Sequence, residues 1–251
     1  MKALRQSNPA QRLRLTHDTL AAAYGLQHWW PARTSFEVIL GAYLTQNTAW
    51  KAVERSLDNL RAAGAVTLDG LRSIGLADLQ GLIRPSGFPT RKGPALKAFV
   101  AMLDEEFCGS LDLLAASPTM PLRRRLLALP GVGPETADVI LLYALNHPVP
   151  VADEYLRRIA LRHQLVAPAP ARNRMGYESL VHLTRQAFAS DPSASHARLF
   201  NEFHALTVAV GKAHCSATPR CAGCPLLADL QRLSYIETMA VPPPERSGST
   251  Q

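Results

Sequence analysis

The stretch from residue 129 to 162, LPGVGPETADVILLYALNHPVPVADEYLRRIALR, sets the narrowest limits on what this chain can fold into. Pro130, Gly131 and Gly133 together predict a tight turn, because glycine bends the backbone freely and proline removes a helix donor. An apolar run follows (Val139, Ile140, Leu141, Leu142, Tyr143, Leu145), which reads as a buried helix, and Pro134 at its start has no N–H to lose there. Pro148 and Pro150 end that helix, and Asp153 stands where the next begins, a position that suits an N-cap. Outward N–H groups at Gly131, Val132 and Gly133, with the positive end of the helix dipole behind them, make a site for a phosphate. Such a site uses backbone alone and does not read bases.

Almost nothing else in the chain alternates with period two over a strand's length. Apolar residues recur at helical spacing instead, and the expectation is an all-α protein. Helices are predicted at 10–25, at 35–45, and over the stripe Trp50, Val53, Leu57, Leu60. Further helices are expected at 69–74, 76–83, 94–107, 110–116, 121–128, 154–164, 174–189 and 195–211. Residues 84–93, RPSGFPTRKG, read as a loop, 167–173 as a Pro/Ala-rich linker, and 241–251 as a disordered tail. With 251 residues, 47% of them apolar and 19% charged, the chain has material for a proper core, which excludes a disordered protein. No apolar run is long enough to span a bilayer and the N-terminus shows no secretory signal, so a cytoplasmic location is expected. A net charge of +7 suits a polyanionic partner, and Arg123, Arg124 and Arg125 form a basic triplet just before the glycine turn. Cys215, Cys221 and Cys224 cluster in a chain without an export signal, which points to a metal or cluster before a disulfide.

The turn LPGVG, its helix, Asp153 20 residues past Gly133, Arg158 five residues on and a downstream CxxC occur together and in this order. In this they resemble the helix-hairpin-helix DNA glycosylase superfamily, and within it the endonuclease III group. The resemblance runs from FEVILGAYLTQNT at 36–48 to the cysteines at 215–224. It implies two helical domains: a six-helix barrel at 33–147 that carries the hairpin, and a second domain made of 1–32 plus 148–240 with the Cys loop. A DNA cleft would lie between them with Asp153 at its mouth. The implied partner is double-stranded DNA containing a damaged base, bound by a monomer. Asp153 would be catalytic, stabilising positive charge on the sugar and orienting or deprotonating the attacking water.

Glu135 is where the resemblance breaks. Bifunctional members carry a lysine here, which forms a Schiff base and allows strand cleavage; glutamate cannot form an imine. The nearest lysines in sequence are Lys97 and Lys212. The expected enzyme is therefore a monofunctional glycosylase with weak or absent AP-lyase activity, closer to the lysine-less 3-methyladenine glycosylases. An oxidised-pyrimidine glycosylase with weak lyase activity, or a DNA-binding protein without catalysis, are the competing readings.

By the same resemblance Gln46 would fill the space of a flipped nucleotide and Phe88 would wedge between bases. Arg91, Lys92, Arg158 and Arg220 would meet phosphates. Trp29, Tyr43 and Trp50 could stack on an extruded, electron-poor alkylated purine, although aromatics at helical spacing are also core residues. The Cys loop departs from the pattern for a [4Fe–4S] cluster, which uses four cysteines spaced six, two and five residues apart. Here the spacings are five and two, and the fourth position is Leu230. The expected occupant by the resemblance is still a [4Fe–4S] cluster on three cysteines: Asp229 or His214 could supply a fourth ligand, or the cluster could be bound loosely. Alternatively, zinc could sit on three cysteines plus His214, or the loop could be held by packing alone.

Overall fold

The computed structural model describes residues 8–30, 32–167 and 174–240, and every regular element among them is helical. The expected tail at 241–251 and most of the 167–173 linker lie outside the described residues. In chain order the helices are α1 (Pro9–Tyr24), α2 (Ser35–Leu44), α3 (Trp50–Ala62), α4 (Leu68–Ser73), α5 (Leu76–Leu82), α6 (Pro89–Phe107) and α7 (Leu111–Ala115). They continue with α8 (Thr119–Leu127), α9 (Pro134–Val139), α10 (Glu154–Arg162), α11 (Arg174–Ala187), α12 (His196–Ala213) and α13 (Leu227–Ala240). Asn8, Thr34, Thr67, Ser110 and Asp153 each cap a helix with a side-chain oxygen, an arrangement worth about 1 kcal/mol apiece. Among the described residues no helix is long and apolar enough to cross a membrane.

Helix α2 is the axis of the core. Its residues from Phe36 to Leu44 are buried on every side, all of them apolar or glycine except Glu37, which pairs with Arg61 at 3.0 Å. Ile39, Leu40 and Leu44 join Ile140, Leu141 and Leu142 behind the glycine turn, and the same apolar body runs on to Leu13 of α1 and to Phe188 and Phe203. A smaller cluster (Leu20, Ile159, Leu206, Val210, Cys215, Leu226) lies beneath the cysteine loop. Helices α10 and α12 approach closely at Gly211, where an added Cβ would overlap the Cβ, Cγ and Cδ1 of Tyr155.

Two local departures from the sequence reading matter for the site. Residues 89–93, expected in a loop, are the first turn and a half of α6: Pro89 occupies its first position and Phe88 precedes it in the left-handed conformation. Pro94 within the helix forgoes one backbone bond without ending it. Second, the apolar helix behind the hairpin is not α-helical throughout. From Ile140 to Ala144 it widens to a π-turn, with Leu145 N–H donating to Ile140 O at 3.2 Å and His147 N–H to Leu141 O at 2.8 Å. Widened turns of this kind re-aim side chains and often mark functional positions.

Candidate active site

The hairpin runs from α8 through residues 128–133 into α9. Gly131 has φ +74°, a left-handed conformation that L side chains rarely adopt, and the exposed Gly133 precedes Pro134 in extended backbone. The N–H groups of Gly131 and Gly133 have no backbone partner among the described residues. Val132 differs from expectation: its side chain is buried and its N–H closes the turn onto Leu129 O at 3.3 Å, so it shapes the turn and offers no donor outward.

Asp153 caps α10, with Oδ1 accepting from Leu156 N–H at 2.8 Å. It is 8% exposed, so the cap is drawn from water and its geometry is fixed. Its second oxygen, Oδ2, stands 3.6 Å from His204 Nε2. Glu135, in the first turn of α9, keeps a solvent-exposed face while protein crowds its other sides. That crowding pushes its pKa up to about 7; the Asp153 charge raises it further and His204 opposes the shift. The Asp153 charge is thus felt at Glu135, whose carboxyl keeps its proton over part of its population near neutral pH.

Behind them lies a set of aromatic rings. Trp30 stands 5.3 Å from Tyr143 and 5.4 Å from Trp50 between ring centroids, and Trp29 stands 5.8 Å from His204, all edge to face. Lys212, far from Glu135 in sequence, places its ammonium 5.5 Å from the Trp29 ring. The buried Trp30 Nε1 has no hydrogen-bond partner among the described residues and lies over Gly41. Tyr43, offered from sequence as a stacking residue, instead lies in the core against Phe99. The sequence reading gave no role here to Trp30 or His204, took Tyr143 for a buried helix residue, and met Lys212 only as a distant lysine. The one legible signal was the paired tryptophans of GLQHWWP; His204 carries no motif.

The loop residues separate into reaching and holding roles. Phe88 is 56% exposed at the tip of its loop, and Arg91 beside it is exposed. Gln46 donates through Nε2 to Gly131 O at 2.9 Å and Thr136 Oγ1 at 3.1 Å, tying its loop to the hairpin. Lys92 does not reach a phosphate. It is buried, and its ammonium donates to Leu44 O (2.7 Å), Ser86 O (2.7 Å) and Thr48 Oγ1 (2.9 Å), which spends all three hydrogens on the two loops. Burial lowers its pKa to about 8. Arg158 pairs with Glu154 at 3.0 Å on its own helix, and Arg220 donates to Ala213 O at 3.0 Å, closing the end of α12. The arginine triplet divides as well. Arg123 is buried in a two-pronged pair with Asp138 (2.6 and 2.8 Å), where Tyr177 also donates, and Arg125 pairs with Glu106; Arg124 is exposed.

Cys215, Cys221 and Cys224 line one small cavity with Arg162, His163, His214, Leu226 and Leu230. Three thiols suit a soft metal in kind, but the aliphatic Leu230 faces the cavity from the fourth position. Asp229 is committed to Arg12 (2.9 Å) and His163 (2.7 Å), and His214 Nδ1 bonds Arg220 O at 3.0 Å. Among the described residues no three His, Cys, Asp or Glu side chains form a group able to hold a metal ion. The residues present do not complete the ligand set of a [4Fe–4S] cluster. What binds the Cys215 sulfur is Arg162, at 3.0 Å, which also donates to Ser216 O and Ala217 O at 2.8 Å each.

The profile of the HhH-GPD superfamily of base excision DNA repair proteins matches residues 40–181. A provisionally named DNA repair glycosylase of Methanocaldococcus jannaschii is 33% identical over 223 residues, covering 88% of this chain and 96% of its own. The crystal structure of the Helicobacter pylori 3-methyladenine DNA glycosylase MagIII bound to 1,N6-ethenoadenine superposes with a TM-score of 0.68 at 28% identity, over 82% of this chain and 98% of that one. A trapped endonuclease III–DNA covalent intermediate superposes with a TM-score of 0.70 at 21% identity, over 91% and 98% respectively, which bears on the fold alone. With a glycine hairpin, a capping aspartate at the next helix start and an all-helical frame around them, this chain belongs to the HhH-GPD superfamily of base excision repair DNA glycosylases.

Proposed function

We propose that this chain is a monofunctional glycosylase that flips an alkylated purine out of double-stranded DNA and hydrolyses its N-glycosidic bond. The carrying observation is Glu135. A carboxylate stands at the lyase position, within electrostatic reach of Asp153 and protonated over part of its population at neutral pH. It cannot form an imine. Asp153 is the reacting carboxylate: Oδ1 is engaged by the Leu156 N–H, and a remaining lone pair takes the proton of the attacking water as positive charge grows on C1′. The residues 33–147 form the barrel on this reading, with 1–32 and 148–240 as the second domain and the DNA cleft between. Gly131 and Gly133 hold a phosphate, Phe88 wedges and Gln46 fills, with Arg91 on the backbone. The rings of Trp29, Trp30, Trp50 and Tyr143 beside the carboxylates support a purine as the extruded base, as does the ethenoadenine bound by the H. pylori relative.

An excision panel of duplexes carrying alkylated, oxidised and deaminated bases tests the reading. Release of 3-methyladenine or 1,N6-ethenoadenine in preference to oxidised pyrimidines is expected, with no borohydride-trapped adduct. Asp153→Asn should abolish release and leave DNA binding intact. An efficient adduct that disappears in Lys212→Met would identify a lyase using that amine instead.

A further inference from the structure

The geometry points to His204 as the positioning residue for Asp153, a role that rests on the glycosylase reading above. Three elements distant in sequence converge here: Asp153 at the start of α10, His204 inside α12, and Tyr143 on the π-turn. His204 is 5% exposed and its two ring nitrogens face in opposite directions. Nδ1 lies 2.6 Å from the Tyr143 hydroxyl, and Nε2 lies 3.6 Å from Asp153 Oδ2. The Tyr143 hydroxyl is also 3.2 Å from Asn201 O.

The hydroxyl has one proton, and two arrangements of it are available. If Tyr143 donates to Nδ1, the imidazole proton sits on Nε2 and faces Asp153. If Tyr143 donates to Asn201 O, Nδ1 must carry a proton. Nε2 would then be a bare lone pair aimed at the lone pairs of Oδ2, unless the ring is doubly protonated. For a carboxylate that acts as the base and so carries no proton itself, every arrangement that avoids lone-pair repulsion puts a proton on Nε2. At 3.6 Å that N–H lies just beyond hydrogen-bond length and attracts Oδ2 by its dipole, while the Leu156 N–H holds Oδ1 in a hydrogen bond. With one oxygen bonded and the other attracted, rotation of the carboxylate about its terminal torsion is biased toward a single orientation. The π-turn is what allows this. An α-helical path through 140–144 would carry Tyr143 to another face of the helix and leave Nδ1 without its partner.

The test has two arms. Long-range nitrogen–proton NMR on the free protein reads the His204 protonation state with no substrate present. A proton on Nε2 is expected, and a neutral ring protonated on Nδ1 alone would overturn the assignment. In the second arm, single-turnover release from a methylated duplex is compared across variants. His204→Leu should slow the chemical step about 10-fold, the scale of one lost polar contact to the reacting carboxylate. Its affinity for a duplex carrying a tetrahydrofuran abasic-site analogue should stay within about twofold of wild type. His204→Gln, which keeps an N–H near the same place, should recover most of the rate. A Gln variant as slow as the Leu variant, or a Leu variant with wild-type rate, would overturn the role. If the Leu variant does not fold, Tyr143→Phe replaces it: it should slow release and weaken the bias toward Nε2, and an unchanged rate and ring state would count against the role. A wild type that releases nothing from the methylated duplex refutes the substrate reading alone, because the NMR arm still decides the contact.

Discussion

Two loops of this molecule are held by the same device in different surroundings. Lys92 gathers the loop of Gln46 and the loop of Phe88 by donating to Leu44 O, Thr48 Oγ1 and Ser86 O. Arg162 gathers the cysteine loop by donating to Cys215 Sγ, Ser216 O and Ala217 O. Lys92 is 5% exposed, with no carboxylate among its three hydrogen-bond acceptors. Arg162 lies half-buried at the edge of the cavity, where water can replace some of its bonds. The contrast teaches that solvent access, more than the number of donors, sets what each clamp is worth.

The largest effect expected is that of Lys92→Met. It removes the Lys92 donor from Leu44 O and Thr48 Oγ1 in a dry site, while Ser86 O keeps the Thr48 hydroxyl, and should cost on the order of 3 kcal/mol, read as a lower urea midpoint. Excision should fall with it, because the loops carrying Gln46 and Phe88 lose their common anchor. A pH series sharpens the point. Lys92 releases its proton near pH 8 when folded and near 10.5 when unfolded, so between those values the unfolded chain binds more protons. Stability attributable to Lys92 therefore rises with pH across that window, and wild type should gain on the Met variant between pH 8 and 10 in denaturant midpoints. Arg162→Met should cost less, about 1–2 kcal/mol, with faster proteolysis within 216–220 and little change in base release. If it costs as much as Lys92→Met, solvent access is not what separates the two clamps. Arg220→Ala should be smallest, about 0.5 kcal/mol in the same midpoints, since its exposed bonds to Ala213 O and, at 3.5 Å, Lys212 O are replaced by water.

What could be read in the sequence was what neighbouring residues decide among themselves. The glycine turn, the proline breaks and the cap at Asp153 need only a few adjacent residues, and the helical spacing of apolar side chains needs only one helix at a time. Destinations of long cationic side chains were not legible, because their partners come from elsewhere in the fold. Lys92 and Arg91 are adjacent in sequence, yet one turns inward to carbonyls of two loops and the other to solvent. Arg123 and Arg124 divide in the same way, since only Arg123 faces Asp138. His204 was invisible for a related reason: it gains meaning only when α12 lies against α10 and the π-turn aims Tyr143 at it.

Gly211 bears on that last arrangement from a distance. It sits two helical turns beyond His204 on α12, pressed against Tyr155, which lies two residues past Asp153. A side chain at 211 would push α10 away from α12, and the separation between Asp153 and His204 would widen with it. The smallest residue in the chain is thus a spacer gauge, setting how far a carboxylate stands from the imidazole that faces it.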